Sequence, residues 1–255
     1  MRLIFRSNSL FASILILALT VGCAPKNTSP EKLTPDQLVA NYYEAVGGYD
    51  AIKAIETLQI RGYYIEPAYD FLIPASILKK RPNYRLIGDI ERVGFEEGFN
   101  GTAWEYHSDR GLILREGEAK EAILVGAEFD HPFIDAKEKG NELLIIGSRF
   151  IGGRNTIELE VTMQVMENPY VASYYFDEDN FLLVAQRKVM PIHAVGPDVE
   201  IINLYSDFRP VNGVLFPFAS IERNENTFEF LNATIWNEII ANEEIPMETF
   251  DPPGD

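Results

Sequence analysis

Hydrophobic positions recur every three or four residues in the first part of this chain, and from Thr57 onward they alternate with a period of two. In the first regime Leu38, Val39, Tyr42, Tyr43 and Val46 share one side of a helix. Thr34-Pro35-Asp36-Gln37 opens it with an N-cap threonine, a first-turn proline and a glutamine three residues after the cap, and Gly47-Gly48 stops it. A second short helix is expected near Asp50 to Glu56, with Ile52 and Ile55 on one side. The second regime is clearest from Thr156 to Val165. There Ile157, Leu159, Val161, Met163 and Val165 face one way and Thr156, Glu158, Glu160, Thr162 and Gln164 the other, a strand with one dry and one wet face. Further strands are expected near 57–66, 69–79, 84–93, 94–99, 102–107, 170–176, 181–190, 199–208, 214–223 and 227–239. Asn100-Gly101 and Asn212-Gly213 read as hairpin turns. One helix interrupts the strands, at about Glu116 to Phe129.

Short connections between successive strands favour antiparallel pairing, and no strand–helix–strand alternation appears. The expectation is a mainly β (α+β) fold: one curved antiparallel sheet of about 10–11 strands, a half-barrel enclosing a few helices. No long linker or repeat divides residues 34–255, so they are read as a single domain.

The N-terminus adds a second, independent signal. Arg2 and Arg6 precede an apolar run from Leu10 to Val21, and Gly22 precedes Cys23, the sole cysteine. Twelve helical residues reach about 18 Å, short of a hydrocarbon core of about 30 Å, so residues 1–22 read as a signal peptide and not as a membrane span. Thr20-Val21-Gly22-Cys23 resembles a bacterial lipobox, in which the thiol is acylated and becomes the new N-terminus. One acyl chain binds membranes marginally and two or more anchor stably. Residues 23–33, polar and proline-containing, read as the lipidated tether.

Charge narrows the partners. The chain carries 22 Lys+Arg against 39 Asp+Glu, a formal charge of −17, and removing residues 1–22 takes away two arginines and no acid. Such a surface repels nucleic-acid phosphates and anionic headgroups. With one cysteine no intramolecular disulfide forms, so stability rests on a packed core.

Several turns and strand starts are familiar together. They are Tyr42-Tyr43-Glu44-Ala45-Val46-Gly47-Gly48 with Ile52-Lys53-Ala54-Ile55, and Phe129-Asp130-His131-Pro132-Phe133-Ile134-Asp135 with Lys137-Glu138-Lys139-Gly140. Gly147, Gly152-Gly153-Arg154, Tyr175-Phe176-Asp177, Tyr205 to Val214 with Phe216-Pro217, and Phe250-Asp251-Pro252-Pro253 extend the pattern. The chain thereby resembles the LolA-like outer-membrane lipoprotein-sorting superfamily, over essentially all of the part after Cys23. The resemblance implies a half-open barrel around helices, with an apolar cavity for acyl chains. The lipid anchor is closer in kind to the anchored acceptor LolB, or to the lipidated lipid carriers of mycobacteria. Ala24 after the cysteine resembles outer-membrane sorting in enteric-type bacteria, which places the domain in the periplasm.

Catalytic and metal signatures are missing from the sequence. There is no Gly-x-Ser-x-Gly elbow, His-Glu-x-x-His helix or phosphate-binding loop. His107, His131 and His193 have no ligand spacing, with His131 in a turn and His193 in a loop. Asp177, Asp179 and Asn180 crowd oxygens into one turn, but the glycine and distal glutamate of a calcium loop are absent. No catalytic residue, cofactor or metal is expected. The aromatic strands are more informative. Phe71, Ile73, Phe95, Trp104, Tyr106, Leu159, Val161, Tyr174, Phe176, Phe216, Phe218 and Trp236 are the expected cavity lining, against the alternative that they fill a solid core. Phe71, Leu72, Ile73, Ile77 and Leu78, in a strand interrupted by Pro74, would form an apolar rim. The function expected is that of a non-enzymatic envelope lipoprotein that binds and transfers an acyl chain, lipid or lipoprotein. The rivals are a structural accessory subunit that docks another envelope protein by a strand edge or acidic face, and a lipid hydrolase, which lacks a visible nucleophile–base pair.

Overall fold

Thr34 caps α1 (Pro35–Val46) as its spacing predicts: Gln37 N donates to Thr34 Oγ1 at 3.2 Å and Thr34 N donates to Gln37 Oε1 at 2.9 Å. This computed structural model describes residues 33–89, 94–163, 169–193 and 196–254. Cys23, residues 1–22 read as a signal peptide, the expected tether up to residue 32, and Gln164 and Val165 lie outside the described residues. From Leu33 onward the chain is one compact unit.

After α1 and the short α2 (Tyr49–Lys53), the chain runs through β1 (Thr57–Ile65), β2 (Ile73–Lys80), β3 (Asn83–Gly88), β4 (Phe95–Phe99), β5 (Ala103–His107) and β6 (Gly111–Leu114). It then forms α3 (Gly117–Ala127). Thereafter come β7 (Glu142–Ile151), β8 (Arg154–Met163), β9 (Tyr170–Asp177), β10 (Leu183–His193), β11 (Gly196–Val211), β12 (Val214–Asn224) and β13 (Phe230–Ala241), with a short 3₁₀ turn at Met247–Phe250.

All thirteen strands form one antiparallel sheet in the order β6-β5-β4-β3-β2-β1-β13-β12-β11-β10-β9-β8-β7, curved and not closed into a barrel. Each neighbour in this order is also a neighbour in sequence, except where β1 joins β13. Two meanders are therefore sewn together by the first and last strands, and the two free edges, β6 and β7, are consecutive in the chain. The segment between them, α3 and residues 128–141, has to cross from one edge to the other.

The strand count exceeds the expected 10–11 because β6 and β7 are not periodic. β6 is four residues long. In β7 the run Leu143-Leu144-Ile145-Ile146 is apolar on both faces, with Leu144 and Ile146 exposed. The strand expected at 69–79 begins at Ile73, and Pro74 sits second in β2, where its carbonyl accepts from Asp89 N at 2.9 Å. His193 ends β10 and is not in a loop.

Local geometry locks the layers together. Asn212 and Gly213 both have positive φ (46° and 83°), the turn that matches strand twist in a two-residue hairpin. Gly47, at φ 122°, packs against its tip: a Cβ there would lie 2.0 Å from the Gly213 carbonyl oxygen. The main core lies between α1, α2 and the inner face of the sheet, with Leu38, Tyr42, Val46, Phe133, Ile134, Leu159, Val161, Tyr174 and Phe176 buried together. A smaller core sets Ile123 and Ala127 of α3 on Tyr84 and Ala103. Each large apolar side chain so buried contributes about 1.5–3 kcal/mol.

Candidate binding cavity

The segment that crosses between the sheet edges is pinned by charge. Asp130 accepts from Lys53 Nζ at 2.9 Å and is held in a two-pronged pair by Arg81, whose guanidinium also lies 4.0 Å from the Phe129 ring. Burial pulls the Asp130 carboxyl up, but Arg81 and Lys53 together outweigh it and hold it below its ordinary value. Asp135 accepts from Lys53 and from the Tyr49 hydroxyl, both at 2.9 Å, and the lysine holds its carboxyl low. Lys139 donates to Glu128 Oε1 at 2.6 Å and to the carbonyls of Asp130 and His131. Residues 128–141 are thus tied to α2 and to the β2–β3 turn, and their Phe133 and Ile134 insert into the core.

Between α3, this crossing segment and the inner face of the sheet there remains a cavity of about 460 Å³. That volume lies within the ~300–1,000 Å³ of small-molecule sites. Its apolar wall is made by Leu58 and Ile60 (β1), Met163, Tyr170, Phe216, Trp236 and Ile239, and its lid by Ala122, Val125 and Gly126 of α3. A second space of about 350 Å³ continues past Phe129 and Met163 toward Arg81. A smaller space of about 140 Å³ remains on the other side of the crossing chain, between Ile134 and Val46, Ile52 and Leu183.

The wall is not uniformly apolar, unlike the cavity the family resemblance implies. Lys79, Glu97, Gln186 and Lys188 also line it. Gln186 bridges two tyrosines, donating to Tyr174 Oη at 3.0 Å and accepting from Tyr205 Oη at 3.1 Å. Burial lowers the Lys79 ammonium to about 8, against the pull of Glu128 and Asp130. Burial also raises Glu97, which accepts from the Tyr84 hydroxyl at 2.9 Å. None of these polar residues was singled out by sequence. A lysine or glutamine in an alternating strand reads as outward-facing, and the register shift between Leu183 and Ala185, which sets the faces of β10, has no signature in the residues themselves.

The aromatic and apolar residues expected to line the cavity are dispersed. Tyr174, Phe216 and Trp236 are in the wall. Leu159, Val161, Phe176 and Phe218 are buried in the filled part of the core. Ile73 is buried at the start of β2, while Phe71 precedes that strand, 46% exposed, with its ring 5.3 Å from Tyr69. Phe95 packs on His107 at 5.0 Å. Trp104 lies on the face of β5 opposite Ala103, under the C-terminal turn, where its Nε1 donates to the Phe250 carbonyl at 3.2 Å; alternation puts Tyr106 on the same outer side. An aromatic pair two residues apart shows that a strand has a face to cover, and here a distant segment covers it.

Among the described residues no group of three or more His, Cys, Asp or Glu is placed to hold a metal ion, and no helix is long and apolar enough to cross a membrane.

With that geometry in view, comparison with solved structures shows where the fold recurs. A DUF1329 family protein from Desulfovibrio piger matches 85% of this chain and 95% of its own, at 11% identity and a TM-score of 0.59. A LolA superfamily protein from Nitrosomonas europaea matches 86% and 97%, at 12% identity and a TM-score of 0.55. A domain from Vibrio parahaemolyticus, described as a putative outer membrane lipoprotein-sorting protein, matches the same shares at 9% identity and 0.54. The structural neighbours are LolA-superfamily proteins, and at these identities the likeness is one of fold. No protein-family profile and no curated protein matches the sequence.

Proposed function

We propose that this protein is an envelope lipoprotein that carries a hydrophobic cargo, an acyl chain or lipidated segment, in the space beneath α3. The observation that carries the reading is the unfilled volume of about 460 Å³, held open on one side by Trp236, Met163 and Ile239 and on the other by α3. Burying ten methylenes there gains about 8 kcal/mol before ordering costs, enough to hold cargo that a better site then takes. The mechanism is transfer by exposure, without covalent chemistry. Acylation of Cys23 tethers the domain to the outer membrane from the periplasmic side. Gently extracted full chain should carry lipid detectable by mass spectrometry, and after delipidation should bind a fluorescent fatty acid about one-to-one. No saturable binding across fatty acids, phospholipids and lipopeptides would remove the carrier role, and hydrolysis products would make the protein an enzyme instead. Cys23→Ser should abolish palmitate labelling; normal labelling of that variant would sink the anchor.

One observation favours a second reading, docking of another envelope protein. Edge strand β7 presents Leu144, Ile146 and Phe150, the last 70% exposed, beside an unpaired strand edge. Charges placed at Leu144 and Ile146 should then abolish co-purification of an envelope partner; a partner that persists argues against it.

A further inference from the structure

Cations and anions inside the cavity are not matched alike. The acids already have donors: Asp130 is paired with Lys53 and Arg81, Glu128 with Lys139, and Glu97 with the Tyr84 hydroxyl. The two lysines are held differently: acids lie near them, Glu128 and Asp130 by Lys79 and Glu222 by Lys188, but no carboxylate lies within hydrogen-bond reach of either ammonium among the described residues. Lys79 Nζ donates to the carbonyls of Gly126 and Glu128, both at 2.8 Å, at the end of α3, and lies 5.5 Å from the Tyr84 ring, neutral partners that leave its charge without an ion pair among the described residues. Lys188 makes no hydrogen bond or ion pair among the described residues. Its electrostatic neighbour is Glu222, whose two carboxylate oxygens accept from Asn232 at 2.8 Å and Asn203 at 3.3 Å. Burial lowers both ammonium groups. In a chain with 39 acidic residues against 22 basic ones, two cavity lysines with no carboxylate in direct ion-pair contact are conspicuous. A buried ammonium with no counter-ion is costly, and an anion arriving from outside would relieve that cost.

We propose that the cargo is an amphiphile with an anionic oxygen head group, a carboxylate or a phosphate monoester. Its head sits at Lys188 and Lys79 and its chain runs along Met163, Tyr170 and Trp236. The inference rests on the carrier reading and names the class of its ligand. Gln186, already shared between two tyrosine hydroxyls, holds the wall beside Lys188 in place.

The test uses the full chain in a mild non-ionic detergent, incubated with equal amounts of palmitic acid, hexadecyl phosphate and hexadecanol. Native mass spectrometry then counts the adducts. Adducts of one or both anionic ligands should exceed those of the alcohol by about tenfold, the value of one charge-assisted hydrogen bond, and the stronger of the two identifies the head group. Lys188→Met should reduce the preference and Lys188→Met with Lys79→Met should bring all three to parity, whereas Lys188→Arg should keep the preference, which a merely structural lysine would not do. Equal adducts of all three ligands on the unsubstituted protein would overturn the anionic head group and leave the carrier reading standing. Adducts of none would overturn both.

Discussion

His131 stacks on Phe133 at 5.1 Å, with the rings of Tyr42 and Tyr174 at 6.3 and 6.2 Å around it. Burial in this aromatic cage, reinforced by the charges of Lys79 and Lys139 and opposed by Asp130, pushes its imidazole from 6.5 down to about 4. The unfolded chain therefore binds a proton near pH 6.5 that the folded chain refuses until about 4. Stability should fall as pH drops through that window and level off below it. Asp130 and Asp135 act in a different window. Their carboxyls are held below 3.8 in the fold, so their contribution is present above that value and is lost as pH falls beneath it. His131→Phe should flatten the urea midpoint between about pH 6.5 and pH 4.5 and leave the steeper acid loss in place. A midpoint of the unsubstituted protein that does not move in that interval would show that the folded ring accepts a proton without penalty.

At the scale of elements, legibility followed from how local the signal is. The capping box of α1 and the Asn212-Gly213 turn are each decided within a few residues, and each stands as read. The alternation of β8 holds from Leu159 to Met163, but on the face read as wet Thr156 and Glu158 are buried, Thr156 donating to the Arg149 carbonyl and Glu158 paired with Arg187 and Tyr175. β7 is not decided locally, because its apolar run has no dry and wet face to alternate between. The cavity wall is least legible, since whether Lys188 points in or out depends on a bulge and on which segment lies beyond the sheet. Trp104 shows the same limit from the other side, covered by residues that follow it by almost 150 positions. The register of β8 gives a direct check. Leu159 is fully buried and Glu160 is half-buried on the opposite face. Leu159→Lys should destabilise by about 3 kcal/mol or more, since an unpaired charge enters the core, and Glu160→Lys by about 0.5 kcal/mol. Equal shifts in the urea midpoint would show the register to be wrong.

At the scale of the whole molecule, the sheet stays open because its two edges are joined by a folded crossing and not by each other. The chain leaves β6, lays α3 and residues 128–141 across the inner face, and resumes at β7. That crossing divides the interior. Where Phe133 and Ile134 dip in, only about 140 Å³ is left; under α3, where the small residues Ala122 and Gly126 face the sheet, the larger volume of about 460 Å³ remains. Cavity size should therefore be set by side chains on α3, and a single enlargement there separates a cargo site from a packing defect. Ala122→Phe places a ring in the space. If cargo occupies that space, binding of a fluorescent fatty acid should weaken by about tenfold or more, while overpacking costs no more than about 1–3 kcal/mol. Lys120→Phe, on the exposed side of the same helix, should leave binding unchanged. If the cavity is instead a void in a solid-core accessory protein, Ala122→Phe fills it without affecting any ligand. Trp236, which lines the space, is the reporter for this titration, since Trp104 lies under Phe250 and should not sense the cargo. Unchanged fatty-acid affinity in Ala122→Phe, with saturable binding intact, would move the cargo site away from α3.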